Sequence, residues 1–564
     1  MKVRACFCSA SGWVLPAGAL LLLPVAVAQP GDARPQAGPD LEWWREARFG
    51  MFIHWGPVSL NGTEVSWSRG GERRGTGGTG EVPVEVYDNL YKRFNPTEFN
   101  ADEWVALAQA AGMKYLVFTT RHHDGFSLFD SRFSDYKITS PECPFGRDVV
   151  KELADACHRA GLRLGFYYSQ PDWRHPDYRT PHHDRFLKYL HNQVRELCTN
   201  YGRLDILWFD GLGGSADDWD ATNLLAMVRQ LQPGILINDR CGLPADFATP
   251  EQRIGRFCND RPWESCITLG EQWSWKPDDQ IKSLSECVHL LVRCAGGDGN
   301  LLLNVGPMPD GRIEPRQAER LREVGEWLRR YGATIYGTRG GPYRPDRWGA
   351  CTSRGSTAYL HVLDRTVQTL ELPPLPAKVV NSRCLTGGDV KVSQSDARLA
   401  IAFDRPGEPD AIDRIVVLEL ERAAAEITPL PGRLPSRSLA RGRAASASNV
   451  FRGMPEFGPD KAFDDDYDTR WATDFGTHAA WLQVDLGSPQ TIGQAVVCEE
   501  CGPRVQRFEL QYLDGQDWKT FARGQQIGTE LRLGFAPVTA QVVRLNVLSA
   551  TEGPTLSEFE LLPP

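Results

Sequence analysis

Several features that define common protein classes are missing from this 564-residue sequence. There is no run of basic residues and the net charge is −9, which argues against nucleic acid as a partner. No stretch of 18 or more apolar residues follows the N-terminal segment, so no membrane span is predicted in the mature chain. No Gly-x-Gly-x-x-Gly turn follows the first predicted strand, and the cysteines fit neither zinc-ribbon pattern. What is left is a large globular protein, for which the length predicts roughly two to four domains.

The N-terminus has the pattern of a secretory signal peptide. Lys2 and Arg4 precede an apolar stretch from Val14 to Val27, which ends in small residues at Ala28. This pattern predicts a signal peptide over residues 1–28 and export to the periplasm or the cell exterior. A membrane anchor is the alternative, but the apolar core is short for a span.

Strand and helix signals alternate over residues 29–342. Short apolar runs such as Tyr115 to Thr120 and Leu162 to Ser169 alternate with segments of helical period such as Asp148 to Ala160. The alternation predicts an α/β fold, a (β/α)₈-like TIM barrel. A doubly wound open sheet is the structural alternative.

One stretch, Leu204 to Gly214 (LDILWFDGLGG), organises this region. Its apolar run indicates a buried parallel strand that ends in Asp210, just before a cluster of glycines. Barrels keep their catalytic groups at the C-terminal ends of their strands. Other predicted strands also end in polar or aromatic groups, including His54, His122 and His123. We therefore expect a pocket around Asp210.

Two kinds of chemistry fit such a pocket. A metal hydrolase would use His and Asp as ligands. The first strand, however, lacks a His-x-His pair, and the adjacent His122 and His123 would point to opposite faces of a regular strand. Glycoside hydrolysis needs two carboxyl groups that flank a sugar, with aromatic walls and hydroxyl-binding groups. Asp210 is the first carboxylate, and the candidates for the second are Glu64, Glu264 and Glu271.

Six motifs in order resemble the α-L-fucosidases of glycoside hydrolase family 29. They are FGMFIHWG from Phe49, HHDGF from His122, YYS from Tyr167, WFDG from Trp208, PWESC from Pro262 and NLLLNVG from Asn300. The resemblance covers roughly residues 40–430. It implies a barrel followed by a small β-sandwich, and retaining hydrolysis of terminal α-L-fucose without a catalytic cofactor.

The resemblance also implies roles for individual residues. Asp210 matches the nucleophile that forms a covalent fucosyl-enzyme. The residues that match the fucose pocket are His54, His122, His123, Trp67, Tyr168 and Trp208. Glu264 is the predicted acid/base, since its neighbour Trp263 offers an apolar wall that would raise the carboxyl pKa. Glu64 is held in reserve for that role.

Two further modules are predicted after the barrel. Residues 343–428 show short alternating runs typical of an antiparallel β-sandwich, and the Pro-, Ser- and Arg-rich residues 429–443 read as a linker. Residues 444–564 are all β by pattern. Three of their motifs, KAFDDDYDTRW from Lys461, WLQVDLG from Trp481 and SEFEL from Ser557, resemble discoidin-type (factor 5/8 type C) modules, a jelly-roll-like β-sandwich that includes family 32 carbohydrate-binding modules.

The acidic loop of the third module predicts a structural calcium, because hard cations take several oxygen ligands. The expected ligands are Asp464, Asp466, Thr469 and Glu558, the last by resemblance. A solvated acidic loop without an ion is the alternative. Phe451, Phe457 and Phe475 are candidate aromatic platforms for a bound glycan.

The sequence therefore predicts an exported retaining exo-α-L-fucosidase with an appended glycan-binding module. The expected partners are fucosylated oligosaccharides or glycoconjugates. The alternatives are an α-L-galactosidase-like enzyme and a non-catalytic glycan-binding or adhesion protein on the same fold. The sequence makes no prediction of linkage preference or oligomeric state.

Overall fold

The computed structural model describes residues 39–404 and 412–564. The predicted signal peptide, residues 1–28, lies outside the described residues. Within the described ranges, no helix is both long and apolar enough to cross a lipid bilayer.

A parallel sheet surrounded by helices forms the first part of the described chain. Its strands are β1 (Phe49–Ile53), β2 (Tyr115–Arg121), β3 (Arg163–Ser169), β4 (Ile206–Asp210), β5 (Leu236–Ile237), β6 (Glu264–Thr268) and β7 (Asn300–Val305). The helices are α1 (Glu42–Ala47), α2 (Val84–Tyr87), α3 (Ala101–Ala110), α4 (Val149–Ala160), α5 (His183–Asn200), α6 (Ala221–Leu231), α7 (Leu284–Gly296) and α8 (Pro315–Tyr331). The strand order is β5-β4-β3-β2-β1-β7-β6, and all pairs are parallel. The predicted barrel-like α/β fold is confirmed.

The sheet has seven strands in the described chain, not the eight predicted. An irregular segment, residues 246–252, lies between β5 and β6 in place of an eighth strand. Single bridges join Asn238 to Phe247 on the β5 side, and Glu251 to Cys266 on the β6 side. This segment therefore links the two edges of the sheet and brings its own side chains to the rim.

Local sequence signals explain the helix ends. The Asp148 side chain accepts a hydrogen bond from the Lys151 amide at the start of α4, and Gly161 ends that helix with φ of 66°. At the start of α7, Ser283 and Glu286 form a capping box. These caps set the points where the chain enters and leaves the sheet.

A β-sandwich follows the barrel. One sheet is formed by β8 (Arg339–Gly340), β9 (Gly349–Arg354), β10 (Thr357–Val362), β12 (Val379–Cys384) and β15 (Arg414–Leu420), and the other by β11 (Thr369–Leu372), β13 (Val390–Gln394) and β14 (Leu399–Phe403). Alternating apolar residues of both sheets, such as Leu360, Ile401 and Val416, are buried in a shared core.

The third region is a seven-stranded antiparallel structure with a separate core. Its strands are β16 (Ala444–Ala447), β17 (Trp471–Ala472), β18 (Ala480–Glu499), β19 (Val505–Asp514), β20 (Asp517–Gly524), β21 (Leu531–Ala550) and β22 (Thr555–Leu562). The strand order is β17-β22-β18-β21-β19-β20, and β16 pairs with β18. Trp471, Phe508 and Phe559 are fully buried in its core.

The segment predicted as a linker, residues 429–443, packs against both β modules. Leu430 pairs with Tyr343 at the start of the sandwich. Arg433 forms an ion pair with Asp465 of the third region at 2.9 Å, and its guanidinium lies 3.7 Å from the centre of the Tyr467 ring. These contacts tie the third region to the sandwich.

Candidate active site

A pocket opens at the C-terminal ends of the barrel strands. It is lined by Phe52, His54, Trp67, His122, His123, Tyr167, Trp208, Asp210, Leu212, Arg240, Glu251, Cys266 and Trp273. The structure thus brings together six of the predicted site residues: Asp210, His54, His122, His123, Trp67 and Trp208. Their convergence follows from the parallel sheet, whose C-terminal strand ends all meet at one rim.

Asp210 is the last residue of β4 and lies at the base of this pocket. Tyr167 donates a hydrogen bond to Oδ2 at 2.9 Å, and the Arg240 guanidinium lies 3.2 Å from Oδ1. The side chain is 11% exposed, so it is nearly buried but can be reached from the pocket. Both partners stabilise an ionised, fixed carboxylate, which is the state a nucleophile requires.

His54 follows directly after β1, and His122 and His123 follow directly after β2. All three rings are buried, with residue exposures of 3%, 5% and 1%. Burial lowers the pKa of His54 to about 4, and it lowers the pKa of His122 and His123 well below the usual value. The three rings are therefore neutral imidazoles at neutral pH.

The expectation that His122 and His123 point to opposite faces is wrong. Both line the pocket, and their ring centres are 4.0 Å apart. β2 ends at Arg121, so strand alternation no longer applies to the two residues that follow it. His122, His123 and Asp210 each offer one ligand atom, all within 4.8 Å of one another, so the site is compact enough for a metal.

Tyr167 occupies the place in the pocket that was predicted for Tyr168. The Tyr168 hydroxyl instead donates to Gln193 at 2.9 Å, and its ring packs against the Arg121 guanidinium behind the sheet. The two residues are neighbours on β3, so their side chains lie on opposite faces. Sequence alone gave two adjacent tyrosines, and the phase of the strand decides which one faces the sugar site.

Glu264 does not line the pocket, and its position argues against the predicted acid/base role. It is the first residue of β6, fully buried, and accepts hydrogen bonds from Trp208 Nε1 at 3.2 Å and from the Tyr115 hydroxyl. Cys266, two residues further along the strand, is the one that reaches the pocket. Glu264 therefore lies inside the barrel, at the opposite end of the strand from the rim. Burial raises the pKa of Glu264 to about 7. A raised carboxyl pKa was expected for the acid/base, but this carboxyl group lies away from the pocket.

The other two candidate carboxylates also lie outside the pocket lining. Glu64 accepts hydrogen bonds from the backbone amides of Trp273 at 2.8 Å and Ser274 at 3.2 Å. Glu64 thus fixes the segment that carries the pocket residue Trp273. Glu271 forms an ion pair with Lys276.

Glu251 is the second carboxylate of the pocket, and sequence reasoning missed it. It belongs to the irregular segment between β5 and β6, and its side chain is 42% exposed at the mouth. Arg240 Nη1 contacts Glu251 Oε2 at 2.8 Å and Asp210 Oδ1 at 3.2 Å. The nearest signal in the sequence is Arg240, the contact of Glu251, which follows the short apolar run from Ile235 to Ile237.

Aromatic rings form the walls around these polar groups. Trp67 packs edge-on to His123 with ring centres 5.6 Å apart, and Trp273 lies 4.8 Å from His54. Arg240 lies over the Trp208 ring at 4.6 Å. An apolar wall with a few directed polar groups is the usual composition of a sugar site.

Three of the predicted calcium ligands, Asp464, Asp466 and Thr469, lie in one loop of the third region, and the carboxyl group of the fourth, Glu558, interacts with that of Asp464. Thr469 Oγ1 is 2.8 Å from Asp464 Oδ2, and the Asp468 amide donates to Asp466 at 3.0 Å. Glu558 is buried, and its Oε2 has no hydrogen-bond partner. Burial, reinforced by Asp464 and other neighbouring carboxylates, raises the pKa of Glu558 to about 9. An orphaned buried carboxylate oxygen beside an acidic loop fits an oxygen-ligated cation.

The fold and the pocket together define a glycoside hydrolase: two carboxylates share an arginine in an aromatic, histidine-rich pocket on a barrel rim. Comparison with known proteins gives the particular family. The family model described as alpha-L-fucosidase matches residues 29–333, and the model described as F5/8 type C domain matches residues 444–561.

Individual relatives agree with these matches. The human plasma alpha-L-fucosidase is 34% identical over 336 residues, which cover 52% of this chain and 69% of the relative. An alpha-L-fucosidase isoenzyme 1 from Paenibacillus thiaminolyticus has a TM-score of 0.61 and 38% identity, covering 68% of this chain and 98% of that structure. An alpha-L-fucosidase from Bacteroides thetaiotaomicron, trapped as a covalent intermediate with 2-fluoro-fucosyl fluoride, has a TM-score of 0.59 and 26% identity over 68% of this chain and 98% of its own.

The chain belongs to the alpha-L-fucosidase family and carries a C-terminal discoidin-type domain. The resemblance predicted from its motifs is confirmed.

Proposed function

We propose that this protein is a retaining exo-α-L-fucosidase that forms a covalent fucosyl ester on Asp210, with Glu251 as acid/base. The observation that carries the proposal is the shared contact of both carboxylates with Arg240 Nη1. The two contacts limit the separation of Asp210 Oδ1 and Glu251 Oε2 to about 6 Å. Carboxyl groups about 5–5.5 Å apart are typical of retaining enzymes, while inverting enzymes need about 6.5–9.5 Å to admit a water molecule.

In the first step, an Asp210 oxygen attacks the anomeric carbon of fucose as the bond to the leaving oxygen breaks. Glu251 gives its proton to that oxygen. In the second step, Glu251 takes a proton from water, the water oxygen attacks the same carbon, and the ester bond to Asp210 breaks. Double displacement releases α-L-fucose, and both carboxyl groups return to their starting states.

The environments of the two carboxylates suit these different roles. Asp210 is nearly buried and receives two hydrogen bonds, which hold it rigidly. Glu251 lies at the mouth, where a leaving group departs and water enters. The trapped covalent intermediate of the Bacteroides thetaiotaomicron relative supports the same chemistry here.

The test is hydrolysis of an aryl α-L-fucoside by the purified protein, with the released sugar followed by NMR. We expect α-L-fucose to appear first and then to mutarotate. Initial release of the β-anomer would mean inversion and would remove the nucleophile role from Asp210.

We also propose that the discoidin-type domain binds glycans. Phe475 is 72% exposed, and its ring centre lies 5.5 Å from that of Phe451, which in turn contacts Phe457. One exposed ring backed by two half-buried rings offers an apolar face on which a sugar can stack. In the full-length protein, Phe475→Ala is expected to slow fucose release from polymeric glycoconjugates and to leave aryl fucoside hydrolysis unchanged. Equal rates on both substrates in wild type and variant would contradict glycan binding by this cluster.

We further propose that the same domain holds a structural calcium. We also propose that residues 1–28 direct export. Asp464, Asp466, Thr469 and Glu558 would hold the ion, which would offset the charge of the buried Glu558 carboxylate. Mature protein that begins at Gln29 would support the predicted cleavage.

A further inference from the structure

We infer that Ser66, Ser169 and Asn304, which do not line the pocket, set its hydrogen-bonding polarity by fixing the tautomers of the three histidines. His54 and His123 then present bare Nε2 atoms that accept hydrogen bonds from sugar hydroxyls, and His122 presents an N–H that donates one. The inference rests on the proposed function for its ligand, a sugar with several hydroxyl groups.

The first assignment follows from the side chain of Asn304 on β7. Its Nδ2 donates to the backbone carbonyl of Trp273 at 2.7 Å, which fixes the orientation of the amide. Its Oδ1 therefore faces His54 Nδ1, at 2.7 Å. An amide oxygen only accepts, so the proton of neutral His54 is on Nδ1 and its Nε2 is bare.

The second assignment follows from Ser169, the last residue of β3. Its hydroxyl donates its only proton to the backbone carbonyl of Pro171 at 2.8 Å. The 2.6 Å contact between Ser169 Oγ and His123 Nδ1 must then be a hydrogen bond from the ring. His123 Nε2 is bare and lies 3.7 Å from Asp210 Oδ2.

The third assignment, for His122, places the proton on the other ring nitrogen, Nε2. Ser66 Oγ accepts from the Asp124 amide at 2.9 Å and lies 2.6 Å from His122 Nδ1. Ser66 is fully buried, and the ring nitrogen is the acceptor available to its proton among the described contacts, because a buried donor is rarely left unpaired. The hydroxyl therefore donates to Nδ1, and His122 carries its proton on Nε2.

The backbone conformation of Ser66 is consistent with a functional role for its side chain. Its φ is 57°, a left-handed conformation that costs free energy for a non-glycine residue. Two further hydrogen bonds hold it in place, because the Tyr87 hydroxyl accepts from the Ser66 amide at 2.7 Å and donates to Asp124 at 2.7 Å. The surrounding network thus holds a strained serine whose hydroxyl points at a pocket histidine.

The position of the proton on His123 affects the nucleophile, Asp210. With Nε2 bare, His123 cannot donate a hydrogen bond to Asp210, although it is close to Oδ2. The carboxylate keeps Tyr167 and Arg240 as its donors, and a sugar hydroxyl can donate to His123. The opposite tautomer would add a third donor and make Asp210 less nucleophilic.

Neutron diffraction from deuterium-exchanged crystals of the full-length protein at neutral pH tests the assignments directly. We expect deuterons on Nδ1 of His54 and His123 and on Nε2 of His122. A deuteron on Nδ1 of His122, or on Nε2 of either other ring, would overturn the inference. The result does not depend on activity, so it can fail while the wild-type protein still hydrolyses an aryl α-L-fucoside, and the reverse also holds.

Ser169→Ala tests the positioning role in the same crystals and in kinetics. Loss of the acceptor at Nδ1 is expected to move the His123 proton to Nε2, facing Asp210, and to lower kcat at least tenfold. Ser169→Thr keeps the hydroxyl and should restore both. Ser59→Ala is the matched control, because it removes an equally buried hydroxyl that donates to the Gly56 carbonyl at 2.8 Å and has no hydrogen bond to a histidine among the described residues. An unmoved His123 proton in Ser169→Ala, or an equal loss of kcat in Ser59→Ala, would contradict the role.

Discussion

At the residue scale, the account depends on which glutamate gives the proton. The motif around Glu264 was the best sequence candidate, but that side chain lies in the barrel interior, while Glu251 lies at the pocket mouth. We expect Glu251→Gln to lower kcat/KM for substrates with poor leaving groups by about 10²–10⁴-fold, the usual contribution of a general acid. With an activated aryl α-L-fucoside, whose leaving group departs without an acid, added azide should restore turnover by attacking the fucosyl-enzyme in place of activated water.

Glu264→Gln is the matched variant for that experiment. It makes the same change of carboxyl to amide on a residue that does not reach the pocket, so kcat/KM should change little. A large, azide-rescued loss in Glu264→Gln with normal activity in Glu251→Gln would reverse the assignment.

Glu264 also predicts a pH dependence of stability. Burial raises its pKa from 4.5 to about 7, so the folded state binds the proton more tightly than the unfolded state. Glu264 therefore destabilises the fold progressively as pH rises from 4.5 to about 7, by up to about 3 kcal/mol above that window. In urea unfolding, Glu264→Gln should be close to wild type at pH 4.5 and more stable than wild type at pH 8. A stability difference that does not change with pH would contradict the raised pKa.

At the scale of single elements, strand phase separates two neighbouring tyrosines. Tyr167 donates to Asp210 at 2.9 Å, and Tyr168 donates to Gln193 on the other face of β3. A hydrogen bond to a charged group is worth about 1.5–3 kcal/mol, so Tyr167→Phe should lower kcat/KM by about 10–100-fold. Tyr168→Phe should keep kcat/KM and lose about 1 kcal/mol of stability. Equal kinetic effects in the two variants would show that the strand faces were misassigned.

The position of each pocket residue within its element decides whether the sequence could predict it. Four pocket residues could be predicted because each lies at or just after the end of an apolar run that indicates a strand: His54, His122, His123 and Asp210. Glu251 could not, because it lies on an irregular segment that replaces the eighth strand and has no periodic pattern. Glu264 was misplaced because its motif marks the start of β6, and sequence did not show which end of that strand meets the rim.

At the scale of the whole molecule, the barrel and the two β modules could be predicted from changes in hydrophobic period along the chain, and the discoidin type of the last module from its resemblance to a known family. The contacts of residues 429–443 could not, since Pro-, Ser- and Arg-rich composition suggested a free linker. Arg433 joins the modules through Asp465 and Tyr467, and such pairings between distant segments leave no periodic signal.

The calcium proposal belongs to this scale, because it concerns the stability of a whole domain. Calcium is expected to raise the apparent Tm of the full-length protein, and a chelator should lower it. The pKa of Glu558 is raised to about 9 without an ion, so calcium must displace a proton, and its stabilising effect should be larger at pH 8 than at pH 6. Glu558→Gln should abolish the response, while the surface variant Glu552→Gln should keep it. A calcium response that survives Glu558→Gln would place the ion elsewhere.

The most direct test of the central claim is to find the residue that carries the sugar. The protein would be incubated with 2-fluoro-fucosyl fluoride, digested, and mapped by mass spectrometry for the peptide that gains a fluorofucosyl group. The account predicts the label on Asp210 and no label in Asp210→Asn. A label on Glu251, Glu264 or any other side chain would contradict it.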